Sequence, residues 1–160
     1  MKKRTRGICI SALIAALYVV LTYVSSLFGL SSGVIQLRLS EALCIMPAFS
    51  VYGVWGVSLG CLISNILFSG IPLDIIFGTL ATLVGCIGTY YLARINKYLS
   101  LTAPIASNTV IIPFVLAYGF GAEQSLAFLA ISIFIGEALS CGVFGSVLCR
   151  ALSKSEHIFR

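Results

Sequence analysis

Long apolar runs separated by short polar breaks dominate this sequence. The runs approach the roughly 20 residues that an α-helix needs to cross a bilayer. The breaks fall at Ser-Gly, Gly-Ile-Pro, basic and Gly-Phe-Gly clusters, where turns are expected. The pattern predicts helices at about residues 8–28, 39–52, 54–70, 74–94, 101–119 and 124–151. The second and third runs are short for full spans, so a single kinked element, and hence five spans, is the competing count.

The distribution of charge favours six spans. With a cytoplasmic N-terminus, nine of the ten basic residues fall on the cytoplasmic side, as the positive-inside rule requires. These nine are Lys2, Lys3, Arg4, Arg6, Arg94, Lys97, Arg150, Lys154 and Arg160. Glu41, Asp74 and Glu123 fall at or near the outer ends of helices, whereas five spans would scatter the charges on both sides. We predict one all-α transmembrane domain over residues 1–160, a six-helix bundle with both termini cytoplasmic.

The start of the chain has two interpretations. The segment Lys2-Lys3-Arg4-Thr5-Arg6 followed by an apolar run resembles the basic region of a secretory signal peptide. The apolar run continues to about Leu30 without a convincing small-x-small cleavage site, and more apolar runs follow. We therefore interpret it as the first membrane helix.

Composition excludes a water-soluble protein. Of the 160 residues, 59% are hydrophobic and 9% are charged, against about 25% charged residues in soluble domains. The net charge of +5 comes from residues that flank apolar runs rather than from a basic patch, so no nucleic-acid partner is predicted. The six cysteines occur singly within apolar runs, without a C-x-x-C pair or a nearby histidine. We interpret them as small apolar side chains and predict no metal site.

A few polar side chains lie inside the predicted spans, where each charge costs at least about 2.5–3.5 kcal/mol on insertion scales. Glu137 lies near the middle of the sixth run, with no basic residue within a turn. A structural explanation for Glu137, Asn108 and Asn65 is hydrogen bonding between helices. Arg38 and Glu41 could form a surface ion pair, and Asp74 could cap its own helix.

The predicted topology brings these polar groups together between the outer surface and mid-membrane depth. The six are Arg38, Glu41, Asn65, Asp74, Asn108 and Glu137. They predict a pocket open to the outside, with walls from Phe77, Tyr118, Trp55 and Phe114. Because carboxylates only accept hydrogen bonds, its ligand should be small, flat and rich in donors. Walker A, H-E-x-x-H and G-x-S-x-G motifs are absent from the sequence, so an enzyme is not predicted.

Three segments carry a resemblance to a known family. They are residues 35–43 (IQLRLSEAL), 59–65 (LGCLISN) and 74–83 (DIIFGTLATL). With Glu137 on the last helix, the chain resembles the QueT family, membrane S-components of energy-coupling factor (ECF) transporters to which import of queuosine precursors is ascribed. The resemblance implies a bacterial cell-membrane location and a ligand such as queuine, preQ1 or preQ0, which are 7-deazaguanines.

The resemblance also implies partners. An S-component pairs with an ECF transmembrane coupling subunit and two cytosolic ATPases, which use ATP and Mg while this chain holds no cofactor. The small residues Ala12 and Ala16 match the docking motif on the first helix of such subunits, although ordinary intramolecular packing is the alternative.

Roles at the implied site are hypotheses. Glu137 would accept the ring N–H and amino donors of the ligand side by side, in a charge-assisted geometry. The other roles go to Asn108 and Asn65 (amide contacts), Phe77 or Tyr118 (stacking), and Asp74 or Glu41 (the amine of queuine and preQ1). Three alternatives remain open: an S-component for another vitamin, a homo-oligomeric channel or exchanger that uses Glu137 as a titrating site, and a structural membrane subunit.

Overall fold

The computed structural model describes residues 3–29 and 37–154, and the regular structure within these ranges is helical throughout. Six segments follow one another: helix 1 (Lys3–Leu27), helix 2 (Leu39–Ala48), helix 3 (Val51–Ser69), helix 4 (Asp74–Leu92), helix 5 (Leu99–Gly119) and helix 6 (Leu126–Ser153). Five of them, all but helix 2, are long and apolar enough to cross a membrane. Lys2 and Arg160 of the charge pattern, and residues 35–36 of the family resemblance, lie outside the described residues.

Helix ends fall where local chemistry favours them. Ser50 and Ser125 precede helices 3 and 6, and each side-chain oxygen accepts a hydrogen bond from a backbone N–H of the first turn, at 3.3 Å in both cases. Gly70 and Gly121 follow helices 3 and 5 with φ values of 65° and 66°, a left-handed conformation that glycine adopts without strain. The predicted Gly-Ile-Pro and Gly-Phe-Gly breaks therefore coincide with helix ends, whereas the Ser-Gly break lies outside the described residues.

Helix 2 differs from the predicted helix over residues 39–52. It is a ten-residue 3-10 helix that contains Pro47. A 3-10 helix rises about 2.0 Å per residue, so ten residues extend about 20 Å. Eight of the ten residues are buried, which places helix 2 inside the bundle rather than against lipid.

Helices 1 and 3 lie side by side and run in the same direction. A Cβ atom added to Gly56 would stand 2.8 Å from Cβ of Ile14, and one added to Gly60 would stand 2.6 Å from Cβ of Tyr18. Glycines therefore allow the two helices to approach closely, as expected where lipid gives little hydrophobic drive for association.

Helix 2 packs against both of these helices and runs in the opposite direction. The backbone N–H of Leu39 donates to Oγ of Ser25 at 3.0 Å, near the end of helix 1. Oγ of Ser11 donates to the carbonyl of Tyr52 at 2.8 Å, near the start of helix 1. Those two serines are 14 residue steps apart, which is a rise of about 21 Å in an α-helix, so helix 2 and its flanking residues cover the same depth.

The remaining helices follow as antiparallel neighbours. Asn65 contacts Asp74 where helices 3 and 4 meet. Cys61, one turn earlier in helix 3, contacts Thr82, two turns later in helix 4. Helices 4 and 5, and then 5 and 6, show the same order through the pairs Ala81–Ser107, Gly85–Pro104, Asn108–Glu137 and Ile112–Ile133.

Three helical segments widen into π-helix. They are Asn65–Ser69, Asp74–Gly78 and Ala138–Phe144. Each begins at, or directly after, a polar residue that the sequence singles out as a site candidate. Since π-helical segments are often found at functional sites, their positions draw attention to one layer of the bundle.

Large apolar side chains cover the outside of the long helices. Leu13, Val110 and Val147 are examples from helices 1, 5 and 6, and each is exposed. A soluble monomer rarely exposes so much contiguous apolar surface. The surface is that of a protein surrounded by lipid.

Candidate functional site

Glu137 and Asn108 form a buried pair between helices 6 and 5. Nδ2 of Asn108 donates to Oε1 of Glu137 at 2.9 Å, and the two side chains are 8% and 2% exposed. Because a carboxylate only accepts, this bond determines which end of the amide faces Glu137. Within the described residues, Oδ1 of Asn108 is then a buried acceptor without a hydrogen-bond partner. Leaving such an atom unpaired costs about 1–3 kcal/mol, so it is available to a donor from a bound molecule.

Glu41 is the second buried carboxylate. It is 2% exposed, and its two oxygens accept from different donors: Oε1 from the hydroxyl of Tyr18 at 2.5 Å, and Oε2 from Sγ of Cys44 at 3.0 Å. The interpretation of Arg38 and Glu41 as a surface ion pair is therefore wrong. Glu41 lies in the interior because Tyr18 and Cys44 satisfy it there.

Cys141 connects the two carboxylates. Its Sγ lies 3.1 Å from the backbone carbonyl of Glu41 and 3.3 Å from Oε2 of Glu137. One thiol hydrogen cannot satisfy both acceptors at once. The contacts nevertheless place helices 2 and 6 side by side, so both carboxylates occupy the same layer of the bundle.

A narrow polar cavity lies in this layer. Its walls are Arg38, Glu41, Gly78, Thr82, Asn108, Ile112, Ile133 and Glu137. Four of the predicted site residues therefore meet there, although they are far apart in the sequence. The space holds about one water molecule. A larger ligand requires the surrounding helices to move apart.

Asp74 and Asn65 lie behind Gly78, at the edge of the cavity. Nδ2 of Asn65 donates to the backbone carbonyl of Asp74 at 3.1 Å. A Cβ added to Gly78 would stand 2.7 Å from Oδ1 of Asp74 and 3.0 Å from Nδ2 of Asn65, so only glycine gives these groups their present positions. Among residues 3–29 and 37–154, Oδ2 of Asp74 is buried without a hydrogen-bond partner. Asp74 is not an N-cap, because the helical turn already begins at Pro72.

Arg38 supplies positive charge to this layer. It is half-buried, just before helix 2. Asp74 and Glu41 both lie within electrostatic range of its guanidinium group. Arg38 thus faces two buried carboxyl groups, so a second positive charge would balance the charge of this layer.

The aromatic residues lie elsewhere. Phe77, Phe114 and Tyr118 line a separate apolar groove between helices 4 and 5, and Tyr118 is 76% exposed. Trp55 is also exposed, near the start of helix 3 and far from Gly78 along the bundle. The prediction that these four rings form the walls of the polar cavity is therefore wrong. Aliphatic side chains of Ile112 and Ile133 take that place.

Several residues of the site were not singled out from the sequence. They are Tyr18, Cys44, Gly78, Thr82 and Cys141. Tyr18 offered a signal, because a phenol in the middle of an apolar helix needs a partner. The two cysteines offered none, since a buried thiol and a small apolar side chain give the same pattern.

Two stripes of small residues on helix 1 have different surroundings. Ser11 and Ala15 are buried against helix 3, whereas Ala12 and Ala16 are exposed on the outer surface. The intramolecular contacts of helix 1 therefore do not account for the second stripe.

Comparison with known proteins gives two matches. The family model described as QueT transporter matches residues 8–154. A protein of Lactococcus lactis subsp. cremoris (strain MG1363), named Queuosine precursor transporter QueT, is 43% identical over 83 residues, which cover 52% of this chain and 48% of that protein. The chain thus spans about half the length of this curated relative. No solved structure matches the chain.

Proposed function

We propose that this chain, which belongs to the QueT transporter family, binds a queuosine precursor from outside the cell in the polar cavity between helices 2, 4, 5 and 6. The ligand would be a 7-deazaguanine such as queuine, preQ1 or preQ0. The name of the Lactococcus relative, Queuosine precursor transporter QueT, supports this substrate class.

Three predictions from the sequence are confirmed by the family match and by the long apolar helices. The resemblance to the QueT family is real, the chain is a multi-pass cell-membrane protein, and it is a transporter rather than an enzyme.

The observation that carries the proposal is a set of buried acceptors without donors. In the part of the chain that the structure describes, Oδ1 of Asn108 and Oδ2 of Asp74 have no hydrogen-bond partner, and the carboxylate of Glu137 lies next to Asn108. Each unpaired buried acceptor destabilises the empty protein. A ligand rich in N–H groups removes that cost on binding, and a 7-deazaguanine carries ring N–H groups and an amino group along one edge.

The contacts follow from this chemistry. Glu137 accepts two adjacent N–H donors of the ligand, a charge-assisted arrangement, and Asn108 contributes its free Oδ1. Ile112 and Ile133, on facing helices, cover the two faces of the flat heterocycle instead of aromatic rings. The amine of queuine and preQ1 pairs with Asp74, because Oδ2 of Asp74 is buried without a hydrogen-bond partner among the described residues.

Ligand entry requires a conformational change. The cavity has space for about one water molecule, far less than a fused two-ring heterocycle occupies. The described conformation is therefore a closed one, and the ligand selects or induces an open one.

The proposed topology has six membrane crossings with both termini cytoplasmic. Its support is the sequence of helix directions, which alternate from helix 1 to helix 6, together with the depth that helix 2 covers between the levels of Ser25 and Ser11. Arg94, Lys97, Arg150 and Lys154 then share the cytoplasmic side with the N-terminus, in keeping with the positive-inside rule.

The proposed partners are an ECF transmembrane coupling subunit and two cytosolic ATPases, which would use ATP and Mg. This chain would supply the substrate site and no cofactor. The exposed Ala12 and Ala16 support a docking surface on helix 1, since small side chains let a second helix approach closely.

Replacing Ala12 and Ala16 by Leu should separate binding from transport. The double variant is expected to bind its ligand like the unchanged protein, because both positions face away from the cavity. Uptake of labelled ligand by cells that contain the partner subunits should fall at least tenfold, because bulky side chains hold the partner helix away. Ala127→Leu, a change of the same size at an exposed alanine of helix 6, serves as the control. Undiminished uptake by the double variant would remove helix 1 as the docking surface.

Ligand binding by the purified chain tests the central proposal. Queuine, preQ1, preQ0, guanine, riboflavin, thiamine and biotin are each titrated into the detergent-solubilised protein in a calorimeter. We expect selective binding of the 7-deazaguanines, with those that carry an amine bound most tightly. Binding of a different vitamin would overturn the ligand but keep a substrate-binding subunit, and no binding would overturn both. Flux through liposomes that contain this chain alone would support the channel or exchanger alternative instead.

A further inference from the structure

Three buried thiols converge beneath the polar cavity. Cys44, Cys86 and Cys141 come from helices 2, 4 and 6, and each is completely buried. All three belong to one packed cluster of the core, and the sulfur atoms of Cys44 and Cys141 lie within 4.8 Å of each other. The spacing of these cysteines in the sequence gives no indication that they meet, so they were interpreted as separate apolar side chains.

A carboxylate completes the group. One oxygen of Glu41 and the sulfur atoms of Cys44 and Cys141 all lie within 4.8 Å of one another. Two sulfur atoms bound to one tetrahedral zinc ion lie about 3.7 Å apart, given a Zn–S bond of about 2.3 Å. The atoms are therefore close to the spacing that a single ion requires, before any side chain rotates.

We propose that Cys44, Cys141 and Glu41 form a binding site for a thiophilic divalent ion such as Zn²⁺ or Cd²⁺. Sulfur ligands favour such ions over Mg²⁺ and Ca²⁺, which take oxygen ligands in larger numbers. The site adjoins that of the proposed organic ligand, because Cys141 contacts Glu137 and Glu41 lines the polar cavity. Its ligand atoms nevertheless differ from the proposed contacts of the organic ligand, which are Glu137, Asn108 and Asp74.

The charges of the site balance. When the ion binds, Cys44 and Cys141 each release a proton to the solvent, and the two thiolates neutralise the two positive charges of the ion. The remaining negative charge of Glu41 lies within electrostatic range of the guanidinium of Arg38. The ion, the two thiolates, Glu41 and Arg38 together carry no net charge, so none has to be buried in the bundle.

A titration of Cd²⁺ into the full-length, chelator-treated protein in detergent tests the proposal without any organic ligand. Thiolate-to-cadmium charge transfer gives an ultraviolet absorption, and calorimetry in buffers of different ionisation enthalpy counts released protons. We expect one ion per chain and about two protons per ion. Mg²⁺ should give neither signal.

Matched serine variants identify the ligands. Cys44→Ser and Cys141→Ser, alone and together, should weaken Cd²⁺ binding at least tenfold each, whereas Cys9→Ser, at an exposed position, should leave it unchanged. Thermal unfolding of each metal-free variant checks that it folds, and the single variants suffice if the double variant does not. Absence of the charge-transfer band in the folded protein, or full Cd²⁺ binding by folded Cys44→Ser and Cys141→Ser, would overturn the site. Neither result bears on binding of 7-deazaguanines in the presence of chelator, so the two proposals fail separately.

Discussion

Replacement of Glu137 by Gln is expected to weaken binding of the preferred 7-deazaguanine about a hundredfold, or about 3 kcal/mol, since a hydrogen bond to a charged group contributes about 1.5–3 kcal/mol. The carbonyl of the new amide can still accept from Nδ2 of Asn108. Its NH2 group then faces the N–H donors of the ligand, so two donors oppose each other and the charge is lost. Calorimetric titration of the variant measures the change directly.

Glu123→Gln is the matched control. Glu123 lies exposed in the connection between helices 5 and 6, so the same chemical change there should leave the affinity unaltered. Thermal unfolding should be similar for both variants. If Glu137 were a protonated carboxyl group with a purely structural role, Gln would imitate it well. A loss of less than tenfold in affinity would therefore remove Glu137 from the centre of the site.

Replacement of Gly53 by Ala is expected to destabilise the protein by about 3 kcal/mol, at the upper end of the usual cost of overpacking. An added Cβ would stand 2.5 Å from the carbonyl carbon of Met46 and 2.6 Å from the nitrogen of Pro47. Both atoms belong to the backbone of helix 2, so no side-chain rotation relieves the overlap. Thermal or denaturant unfolding in detergent, with the ligand absent, gives the change in stability.

Gly142→Ala provides the comparison for this prediction. The nearest atom to an added Cβ there is Cδ1 of Ile105 at 4.0 Å, which is ordinary contact. The variant should therefore be as stable as the unchanged protein or slightly more so, because alanine favours a helix over glycine. Equal unfolding temperatures for Gly53→Ala and Gly142→Ala would contradict the close approach of helices 2 and 3.

The parts of the fold that local chemistry determines were predictable. A serine before an apolar run and a glycine after it mark helix ends whatever surrounds them, as at Ser50, Ser125, Gly70 and Gly121. The 3-10 form of helix 2 was not predictable, because it depends on packing against helices 1, 3, 4 and 6. The π-helical segments depend likewise on contacts between helices rather than on their own sequence.

The same distinction applies to the site. Burying Glu137 or Asn108 in an apolar run is costly wherever the run lies, so the sequence alone indicated that these residues have partners. The sequence does not show which face of a membrane helix points into the bundle. In a soluble protein an apolar stripe marks it, but a membrane helix is apolar on all sides. The orientation of Phe77 and Tyr118 toward a separate groove, and the meeting of three cysteines, therefore had no signal in the sequence.

The burial of helix 2 has a consequence for biogenesis. Helix 2 is apolar, but its ten residues are too few to cross the bilayer as an independent unit, and they include the carboxyl group of Glu41. Its carboxylate gains one donor from helix 1, but the neighbouring helices 4 and 6 are synthesised later. We expect helix 2 to remain exposed to the insertion machinery or to water until helix 6 has been made, so a chain that is cut short before helix 6 should be a substrate for membrane proteases.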